Sequence, residues 1–407
     1  MVKIIPKKKQ LKFLSWEMGV FFHFGIRTFC EGHKDWDGIE MPVKEFNPAD
    51  LDCEQWTQTI KAGGAKYAIL TCKHHDGFAN WPSKYTEYSI KNSHWENGEG
   101  DVVREFVNAC RKCDLKVGLY YSPAQYGSHA MQGKEYDDYF INQISELLTD
   151  YGKIDYLWFD GCGSENHKYD EDRIIATIRG LQSEILIFSM WDPDTRWIGN
   201  EEGIAPLGSR NTVISAKTSI MEKVATQLDT HKFLPFECDC KIRRKNWFYS
   251  DNDLPLLRSL DDLMGLYYYS VGRGGNLLIN IAPDRSGHLP KEDGQRYMEF
   301  GNEIKRRFLN PLPYEIIVED NILKLKLNNP QMINHIVLKE NLQQGESVEE
   351  FKISTFYHVE MPLIEGKTIG HKQICSFPSI YTEEIHIEIT KSNGDFKFDN
   401  IELFYVR

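Results

Sequence analysis

The residues best suited to chemistry stand at the ends of short apolar runs of the sequence or in the stretches that follow them. They are histidines, carboxylates, an arginine, tyrosines and tryptophans, found at His23, Lys73-His74-His75-Asp76, Tyr120-Tyr121-Ser122, Trp158-Phe159-Asp160-Gly161, Trp191-Asp192, Arg196-Trp197, Glu201-Glu202 and Glu237-Cys238-Asp239. Polar groups of these kinds can bind hydroxyl groups, and aromatic rings can stack on the apolar face of a sugar. If the fold brings these positions together, the sequence predicts a carbohydrate site.

Several of these positions also have a simpler structural interpretation. His23 could be a hydrogen-bonded histidine of the core, and Asp160 could cap the helix that follows it. His74 and His75 could bind a metal ion. Neighbours on a strand point to opposite faces, however, so both reach one ion only if the strand has ended before them.

The apolar runs alternate with amphipathic stretches from residue 1 to about residue 310. The expected strands are 19–24, 67–72, 116–121, 155–160, 185–189, 234–238 and 276–281, and the expected helices include 54–62, 102–113, 136–151 and 171–181. Runs that are apolar throughout fit strands buried on both faces, and regular alternation with helices implies parallel β/α units. Seven or eight such units in about 300 residues predict an α/β fold, a (β/α)8-like TIM barrel.

In such a barrel the functional residues lie at the carboxyl ends of the strands. Counted in this way, the strands are expected to lead, in order, to His23 (first), His74-His75 (third), Tyr120 (fourth), Asp160 (fifth) and Glu237 (seventh). All of them would then face one mouth of the barrel.

The pattern changes near Pro311 and Pro313. From Tyr314 on, apolar and polar residues alternate with a period of two, as in 323–327, 335–338 and 385–389. This alternation is typical of antiparallel strands with one buried face, and it predicts a C-terminal antiparallel β-sandwich. We therefore expect a catalytic barrel at 1–312 and a sandwich at 313–407.

The net charge is −12, from 48 basic and 60 acidic residues. This charge disfavours nucleic acid as a partner, because phosphate binding needs a concentrated basic surface. No apolar stretch has the length of a signal peptide or of a membrane span, so we expect a cytoplasmic protein with no membrane partner. The oligomeric state is left open.

The sequence also argues against common cofactors. No glycine-rich loop follows the first apolar run, which disfavours a dinucleotide fold. Nine cysteines at irregular spacing do not form a disulfide framework, and Cys110-x-x-Cys113 lacks the second ligand pair of a zinc site. We expect reduced thiols, no metal and no cofactor.

With these residues identified, the sequence resembles the family 29 glycoside hydrolases, the α-L-fucosidases. The resemblance rests on short stretches that come in family order, namely Gly19-Val-Phe-Phe-His-Phe-Gly25, Phe46-Asn-Pro48, Ala62-Gly-Gly-Ala-Lys-Tyr67, Lys73-His-His-Asp-Gly-Phe78, Gly118-Leu-Tyr-Tyr-Ser122, Trp158-Phe-Asp-Gly161 and Gly272-Arg-Gly-Gly-Asn-Leu-Leu-Ile-Asn280. Lys-His-His-Asp-Gly-Phe followed by Trp-Phe-Asp-Gly is the most specific combination.

The resemblance implies a retaining mechanism in which Asp160 matches the nucleophile and forms a covalent fucosyl-enzyme. The positions that match fucose contacts are His23, His74, His75, Tyr120 and Trp158. The histidines would then bind sugar hydroxyls rather than a metal. Asp35-Trp36 falls where the family usually has a Glu-Trp pair that binds hydroxyls, and Glu31 could substitute for the shorter acid.

The assignment of the acid/base residue rests on a resemblance to one subgroup of the family. The stretch Arg196-Trp-Ile-Gly-Asn-Glu-Glu-Gly203 resembles the motif of the subgroup that prefers α1,3- and α1,4-linked fucose, and it assigns the acid/base to Glu201, with Glu202 as the alternative. Arg196 would contact fucose or hold this loop. Glu237 and Trp247 also resemble that subgroup and would line the acceptor side.

The expected function is therefore release of L-fucose from fucosylated glycans by an exo-acting retaining enzyme. Two alternatives stay open from the sequence. One is hydrolysis of a stereochemically related sugar such as a β-D-galactoside. The other is a fucose-binding protein without catalysis, which the presence of both carboxylates disfavours.

Overall fold

A computed structural model describes residues 3–32, 39–127, 131, 133–319, 322–355 and 361–407. Within these residues the chain forms seven α-helices and sixteen β-strands. They divide into a barrel of parallel strands and a C-terminal antiparallel sheet.

Eight parallel strands build the barrel, and each is short and almost entirely buried. They are β1 Met18–Phe22, β2 Tyr67–Lys73, β3 Lys116–Tyr121, β4 Tyr156–Phe159, β5 Leu186–Phe188, β6 Arg196–Trp197, β9 Phe236–Lys241 and β10 Asn276–Asn280. Their order in the sheet is β5-β4-β3-β2-β1-β10-β9-β6. A single parallel bridge between Phe188 of β5 and Thr195, the residue before β6, brings the two edge strands together, so the sheet is nearly closed at this seam. The predicted barrel is confirmed.

Helices pack around most of the barrel. They are α2 Cys53–Ala62, α3 Val102–Lys112, α4 Gly133–Thr149, α5 Glu171–Leu181, α6 Leu260–Tyr269 and α7 Lys291–Phe308, and α1 Lys8–Leu14 precedes the first strand. Asp52, Asp101 and Asp170 cap α2, α3 and α5, each accepting a hydrogen bond from the backbone N–H three residues on. The four helices named from the sequence are confirmed within a few residues.

The order of the strands corrects one sequence expectation. Asp160 follows the fourth strand rather than the fifth, because the described residues between β1 and β2 hold helix α2 and two short 3-10 turns but no strand. Likewise β2, not a third strand, leads to His74. The barrel reaches eight strands through the two-residue β6, which the sequence pattern did not reveal.

Two connections depart from regular β/α alternation. No helix separates β5 from β6 in the described chain, and β6 leads instead to a hairpin of β7 Thr212–Ala216 and β8 Thr226–Phe233. The hairpin tip, residues 217–225, lies at the carboxyl end of the barrel, where Thr218, Ser219 and Ile220 line the central cavity.

The barrel interior is packed with large side chains rather than left open. Phe13 of α1 and Trp16 close its amino-terminal end and contact Tyr67 and Tyr156, with ring centroids 5.2–6.0 Å apart. This filling leaves space only at the opposite, carboxyl-terminal mouth.

Asp194 supports the seam where the barrel lacks a helix. Its fully buried carboxylate pairs with Lys9 Nζ at 2.7 Å, with Arg179 at 2.8 Å and with Lys7 at 3.4 Å. It also accepts the backbone N–H of Ile187 in β5. Three cations from α1, α5 and the preceding turn thus converge on one acid between β5 and β6.

The C-terminal sheet consists of β11 Tyr314–Glu319, β12 Ile322–Glu340, β13 Val348–Thr355, β14 Ile364–Gly366, β15 Gln373–Ser392 and β16 Phe398–Phe404. The long strands β12 and β15 carry register shifts near their middles. Both halves of β12 and β15 contribute to one apolar core, so this part of the chain is an antiparallel β-sheet domain with a core of its own. Glu346 attaches this part to the barrel by accepting the backbone N–H groups of Asn211 and Thr212.

Two further observations concern the described chain. None of its helices is both long and apolar enough to cross a membrane. All nine cysteines lie within the described residues, and no disulfide joins them.

The variant D194N tests the role of the seam. Removing the charge leaves three cations around a buried site without their carboxylate, so we expect D194N to lower the stability by roughly 3 kcal/mol. D138N is the matched control, because Asp138 also pairs with a lysine and an arginine but is 46% exposed. It should cost less than about 1 kcal/mol. Equal thermal unfolding temperatures for the two variants would contradict this assignment.

Candidate active site

One cavity opens at the carboxyl-terminal mouth of the barrel. Its walls are formed by Phe21, His23, His74, His75, Tyr120, Trp158, Asp160, Cys162, Phe188, Trp197, Glu201, Thr218, Ser219, Ile220, Asp239 and Trp247. Eight residues singled out from the sequence therefore meet there, namely His23, His74, His75, Tyr120, Trp158, Asp160, Glu201 and Trp247.

Asp160 lies on the cavity wall just beyond β4. Its Oδ2 accepts a hydrogen bond from the Tyr120 hydroxyl at 2.9 Å and lies 3.5 Å from His75 Nε2. Its Oδ1 accepts the backbone N–H of Cys162 at 2.9 Å. Burial alone would raise the pKa of this carboxyl, but the contacts with His75, Cys162 and Tyr120 together lower it. Asp160 does not cap α5, since Asp170 does.

The two adjacent histidines both reach the cavity because β2 ends at Lys73, directly before them. His75 Nδ1 lies 2.5 Å from Ser122 Oγ, and that hydroxyl donates to the backbone carbonyl of Ala124 at 2.8 Å. This contact with Ser122 orients the ring so that Nε2 of His75 faces Asp160. His74 stacks on the Tyr120 ring with an interplanar angle of 12°. Within the described chain, no group of three or more potential ligands is arranged to hold a metal ion.

His23 is oriented by Asn280, the last residue of β10. The ring Nδ1 lies 2.8 Å from Asn280 Oδ1, while Asn280 Nδ2 donates to the backbone carbonyl of Trp247 at 2.7 Å. Burial lowers the pKa of His23 to about 3, so its ring is neutral near neutral pH. Nδ1 carries the proton toward Asn280, and Nε2 is left as an acceptor. Asn280 was not predicted as a site residue, although its place at a strand end was a usable signal.

Trp158 forms the aromatic floor of the cavity. Its ring stacks on Phe188 at 4.1 Å and on Tyr120 at 5.4 Å, and its Nε1 donates to Glu237 Oε1 at 2.8 Å. Glu237 also accepts from the Tyr67 hydroxyl at 2.5 Å. The floor is therefore fixed from below by a carboxyl group.

The position of Glu237 corrects a sequence expectation. We expected it at the end of its strand on the acceptor side, but β9 runs from Phe236 to Lys241, so Glu237 is the second residue of the strand. It lies fully buried inside the barrel beneath Trp158. Burial raises the pKa of Glu237 to about 7. The residue that reaches the cavity from β9 is Asp239, two positions on.

Glu201 reaches the cavity from the loop after β6. Its Oε2 pairs with Lys241 Nζ at 3.0 Å, and that ammonium lies 4.4 Å from the centre of the Trp247 ring. The adjacent Glu202 is exposed and does not line the cavity. The structure thus separates two neighbouring carboxylates that the sequence could not distinguish.

Arg196 does not line the cavity, so of its two predicted roles, contact with fucose or holding the acid/base loop, the position disfavours the first. It alternates on β6 with Trp197, whose ring points into the barrel, so the guanidinium points outward and lies over Phe236. There it donates to the backbone carbonyls of Arg210 and Trp197 at 2.9 and 3.2 Å. It therefore holds the chain that follows β6.

The predicted pair Asp35 and Trp36 lies outside the described residues. Glu31, the alternative acid, is described and does not line the catalytic cavity. It lies in a neighbouring cleft that shares Trp247, where it accepts from Ser250 Oγ at 2.7 Å and pairs with Arg285.

Gly161 has a steric role in the motif. A Cβ at this position would lie 2.2 Å from the backbone carbonyl oxygen of Thr218, so only glycine lets the hairpin tip approach the end of β4.

The tip residues and the wall residues Phe21, Cys162, Phe188, Trp197 and Asp239 were not predicted as parts of the site. Trp197 and Asp239 stood in the sequence stretches considered there, but their inward orientation depends on where β6 and β9 begin.

Comparison with known proteins assigns this chain to a family. The family model described as α-L-fucosidase matches residues 6–307, which is most of the chain and all of the barrel strands. The chain belongs to the α-L-fucosidase family. It is a glycoside hydrolase of family 29, and the predictions of the family and of enzyme class are confirmed.

Relatives support this assignment over nearly the whole chain. The α-L-fucosidase 1 of Arabidopsis thaliana is 31% identical, and the alignment covers 96% of this chain and 85% of the relative. A family 29 glycoside hydrolase from a rumen bacterium superposes with a TM-score of 0.89 at 30% identity, covering 99% of this chain and 77% of that one. A Ruminococcus gnavus family 29 fucosidase, solved in complex with fucose, gives a TM-score of 0.83 at 25% identity, with coverage of 99% and 95%.

The buried Glu237 predicts a pH-dependent difference in stability. The pKa of Glu237 is raised from 4.5 to about 7 in the folded protein, so its ionisation destabilises the fold as the pH rises through this interval. E237Q cannot ionise and keeps an acceptor for Trp158. We expect the stability of E237Q relative to wild type to increase by about 2–3 kcal/mol between pH 5 and pH 8. Denaturant midpoints at both pH values measure this, and a pH-independent gap would contradict the assignment.

Proposed function

We propose that this enzyme is an exo-acting, retaining α-L-fucosidase in which Asp160 is the nucleophile and Glu201 is the acid/base. The observation that carries the proposal is the shared cavity of these two carboxyl groups, one with a lowered pKa. A nucleophile has to be ionised in the free enzyme, and the donors around Asp160 favour that state.

In the first step, an Asp160 oxygen attacks the anomeric carbon of fucose. The bond from that carbon to the glycosidic oxygen breaks, and the leaving oxygen takes the proton of the Glu201 carboxyl group. In the second step, Glu201 as carboxylate removes a proton from water, and the water oxygen attacks the anomeric carbon. The bond to Asp160 then breaks, and both groups return to their initial states. Two inversions give net retention.

The fucose ring would be bound by the remaining groups of the cavity. Nε2 of His23 can accept a hydrogen bond from a sugar hydroxyl, and the Trp158 ring offers an apolar surface to a ring face. Phe188 and Tyr120 pack against the Trp158 ring and also line the cavity. This apolar surface suits a sugar with a methyl group in place of a hydroxymethyl group. The complex of the related Ruminococcus gnavus enzyme with fucose agrees with this ligand.

We further propose a preference for α1,3- and α1,4-linked fucose of branched, Lewis-type glycans. The support is the stretch from Arg196 to Gly203, which resembles the subgroup with that preference. At the cavity edge Glu201 pairs with Lys241, whose ammonium lies over the Trp247 ring. Trp247 also lines the neighbouring cleft that contains Glu31. That cleft offers room for the sugar to which fucose is attached.

Three variants test the catalytic assignment. D160N should lower kcat for an aryl α-L-fucoside by more than about 1,000-fold, because no nucleophile remains. E201Q should affect a substrate with a poor leaving group far more than an activated aryl fucoside, because protonation is needed mainly by the former. E202Q is the matched control for E201Q and should retain activity within about threefold.

The stereochemical outcome is read by proton NMR during the first minutes of the wild-type reaction. α-L-Fucose as the first product supports retention, and β-L-fucose as the first product would refute the two-step mechanism. Equal losses in E201Q and E202Q would refute the assignment of the acid/base.

A substrate panel tests the linkage. We expect kcat/KM for α1,3- and α1,4-fucosylated branched oligosaccharides to exceed that for an α1,2-linked fucoside by at least about tenfold, which corresponds to roughly 1.4 kcal/mol. An aryl β-D-galactoside should be a poor substrate. Preference for the α1,2 linkage would contradict the proposed subgroup without affecting the assignment of Asp160.

A further inference from the structure

Asp239 is a third carboxyl group in the catalytic cavity, and the mechanism above does not use it. It lines the cavity from β9 and is 4% exposed. Side chains alternate along a strand, so Glu237, Asp239 and Lys241 all face the barrel interior. Glu237 lies below the floor and Lys241 pairs with Glu201, which leaves Asp239 as the β9 side chain on the cavity wall.

The contacts of Asp239 differ from those of Asp160. Its Oδ1 accepts a hydrogen bond from Trp197 Nε1 at 2.6 Å. Among the described residues no lysine, arginine or histidine forms an ion pair with it, because Lys241 on the same face is engaged by Glu201. Asp239 therefore accepts from two neutral donors, the Trp197 indole and its own backbone N–H, whereas the three donors of Asp160 include a histidine.

The surroundings of Asp239 disfavour its ionisation. Burial is the main cause that raises the pKa of Asp239 well above the usual range for an aspartate. A negative charge on Glu201 or Glu237 raises it further, while the hydrogen bonds from Trp197 Nε1 and from its own backbone N–H oppose the rise. The titratable groups that share the cavity or lie beneath it are His23, His74, His75, Tyr120, Asp160, Cys162, Glu201 and Glu237, and the ammonium of Lys241 lies at the cavity edge against Glu201. Because Oδ1 already accepts from Trp197, the proton of a neutral Asp239 resides on Oδ2.

We propose that Asp239 is a further substrate-binding residue of this cavity, a neutral carboxylic acid whose Oδ2 hydroxyl donates a hydrogen bond to a hydroxyl group of the bound sugar. The inference rests on the function proposed above and extends it. The cavity then contains three carboxyl groups in three roles, with Asp160 as nucleophile, Glu201 as acid/base and Asp239 as a fixed donor. The Trp197 indole positions Asp239 by holding its other oxygen.

Two variants with side chains of similar size test whether Asp239 acts as a hydrogen-bond donor or only fills space. D239N keeps an acceptor for Trp197 and an N–H donor toward the cavity, whereas D239L keeps neither. We expect kcat/KM for an aryl α-L-fucoside to stay within about fivefold of wild type in D239N and to fall roughly 100-fold in D239L. Equal losses in both variants would overturn the proposal.

The pH profile tests the charge of Asp239. If the group is neutral, D239N changes no charge, and the alkaline limb of kcat/KM against pH stays where it is in wild type. If the group were a carboxylate in the free enzyme, D239N would remove a negative charge beside the acid that the reaction needs. That acid would lose its proton more easily, and a shift of the limb to lower pH would overturn the proposal.

Monodeoxy aryl fucosides distinguish contact with the sugar from a purely structural role. The ratio of kcat/KM between wild type and D239L should collapse toward one for the substrate that lacks the contacted hydroxyl group. An unchanged ratio for every monodeoxy substrate would make the loss structural and refute the contact. If D239L does not fold, as judged by thermal unfolding, D239A replaces it in the same comparison.

Failure of the inference is distinguishable from failure of the proposed function. Wild type is assayed first, and absence of fucose release by wild type would refute the function. In that case calorimetric titration of L-fucose into wild type, D239N and D239L still tests the contact. Affinity retained in D239N and lost in D239L supports it, and equal affinity in all three overturns it.

Discussion

A carboxylate kept ionised inside an aromatic cavity is the constraint on which the site depends. Removing Asp160 from water disfavours its charge, so compensating donors have to reach it at fixed distances. They come from three places, namely Tyr120 at the end of β3, His75 just beyond β2, and the backbone N–H of Cys162 in its own turn. Parallel strands make this possible because their carboxyl ends converge on one mouth.

The rest of the barrel keeps these groups rigid. Ser122 turns His75, Asn280 fixes His23 and the Trp247 backbone, and Glu237 holds the indole of Trp158 from below. Each contact links the cavity to a neighbouring strand or loop rather than to solvent. At the seam between β5 and β6, where helices are missing, the ion cluster of Asp194 supports the strands instead.

Much of this arrangement could be predicted from sequence, because strong local patterns carry it. The buried barrel strands are mostly apolar, aspartates cap helices α2, α3 and α5, and Asp160 directly follows the fully buried strand β4. Asp160 was assigned to a fifth strand because one strand too many was counted before it, whereas the described residues between β1 and β2 form only helix α2 and two 3-10 turns. Separately, the sequence did not reveal β6, because two residues have no periodicity to detect. The strand expected at 234–238 begins two residues later, at Phe236, and this shift decides where Glu237 and Asp239 lie. The hydrophobicity of the sequence does not define where β9 begins. The hairpin tip and the outward turn of Arg196 follow from long-range packing, which one sequence does not reveal.

The most direct test of the account is to trap the covalent intermediate. A 2-deoxy-2-fluoro-α-L-fucosyl fluoride should react with the wild-type enzyme, because the good leaving group permits the first step while the fluorine slows the second. Peptide mapping by mass spectrometry then locates the sugar. The account predicts a single fucosyl ester on Asp160, in the peptide that contains Trp158-Phe159-Asp160-Gly161. A sugar attached to Glu201 or Asp239 would contradict it.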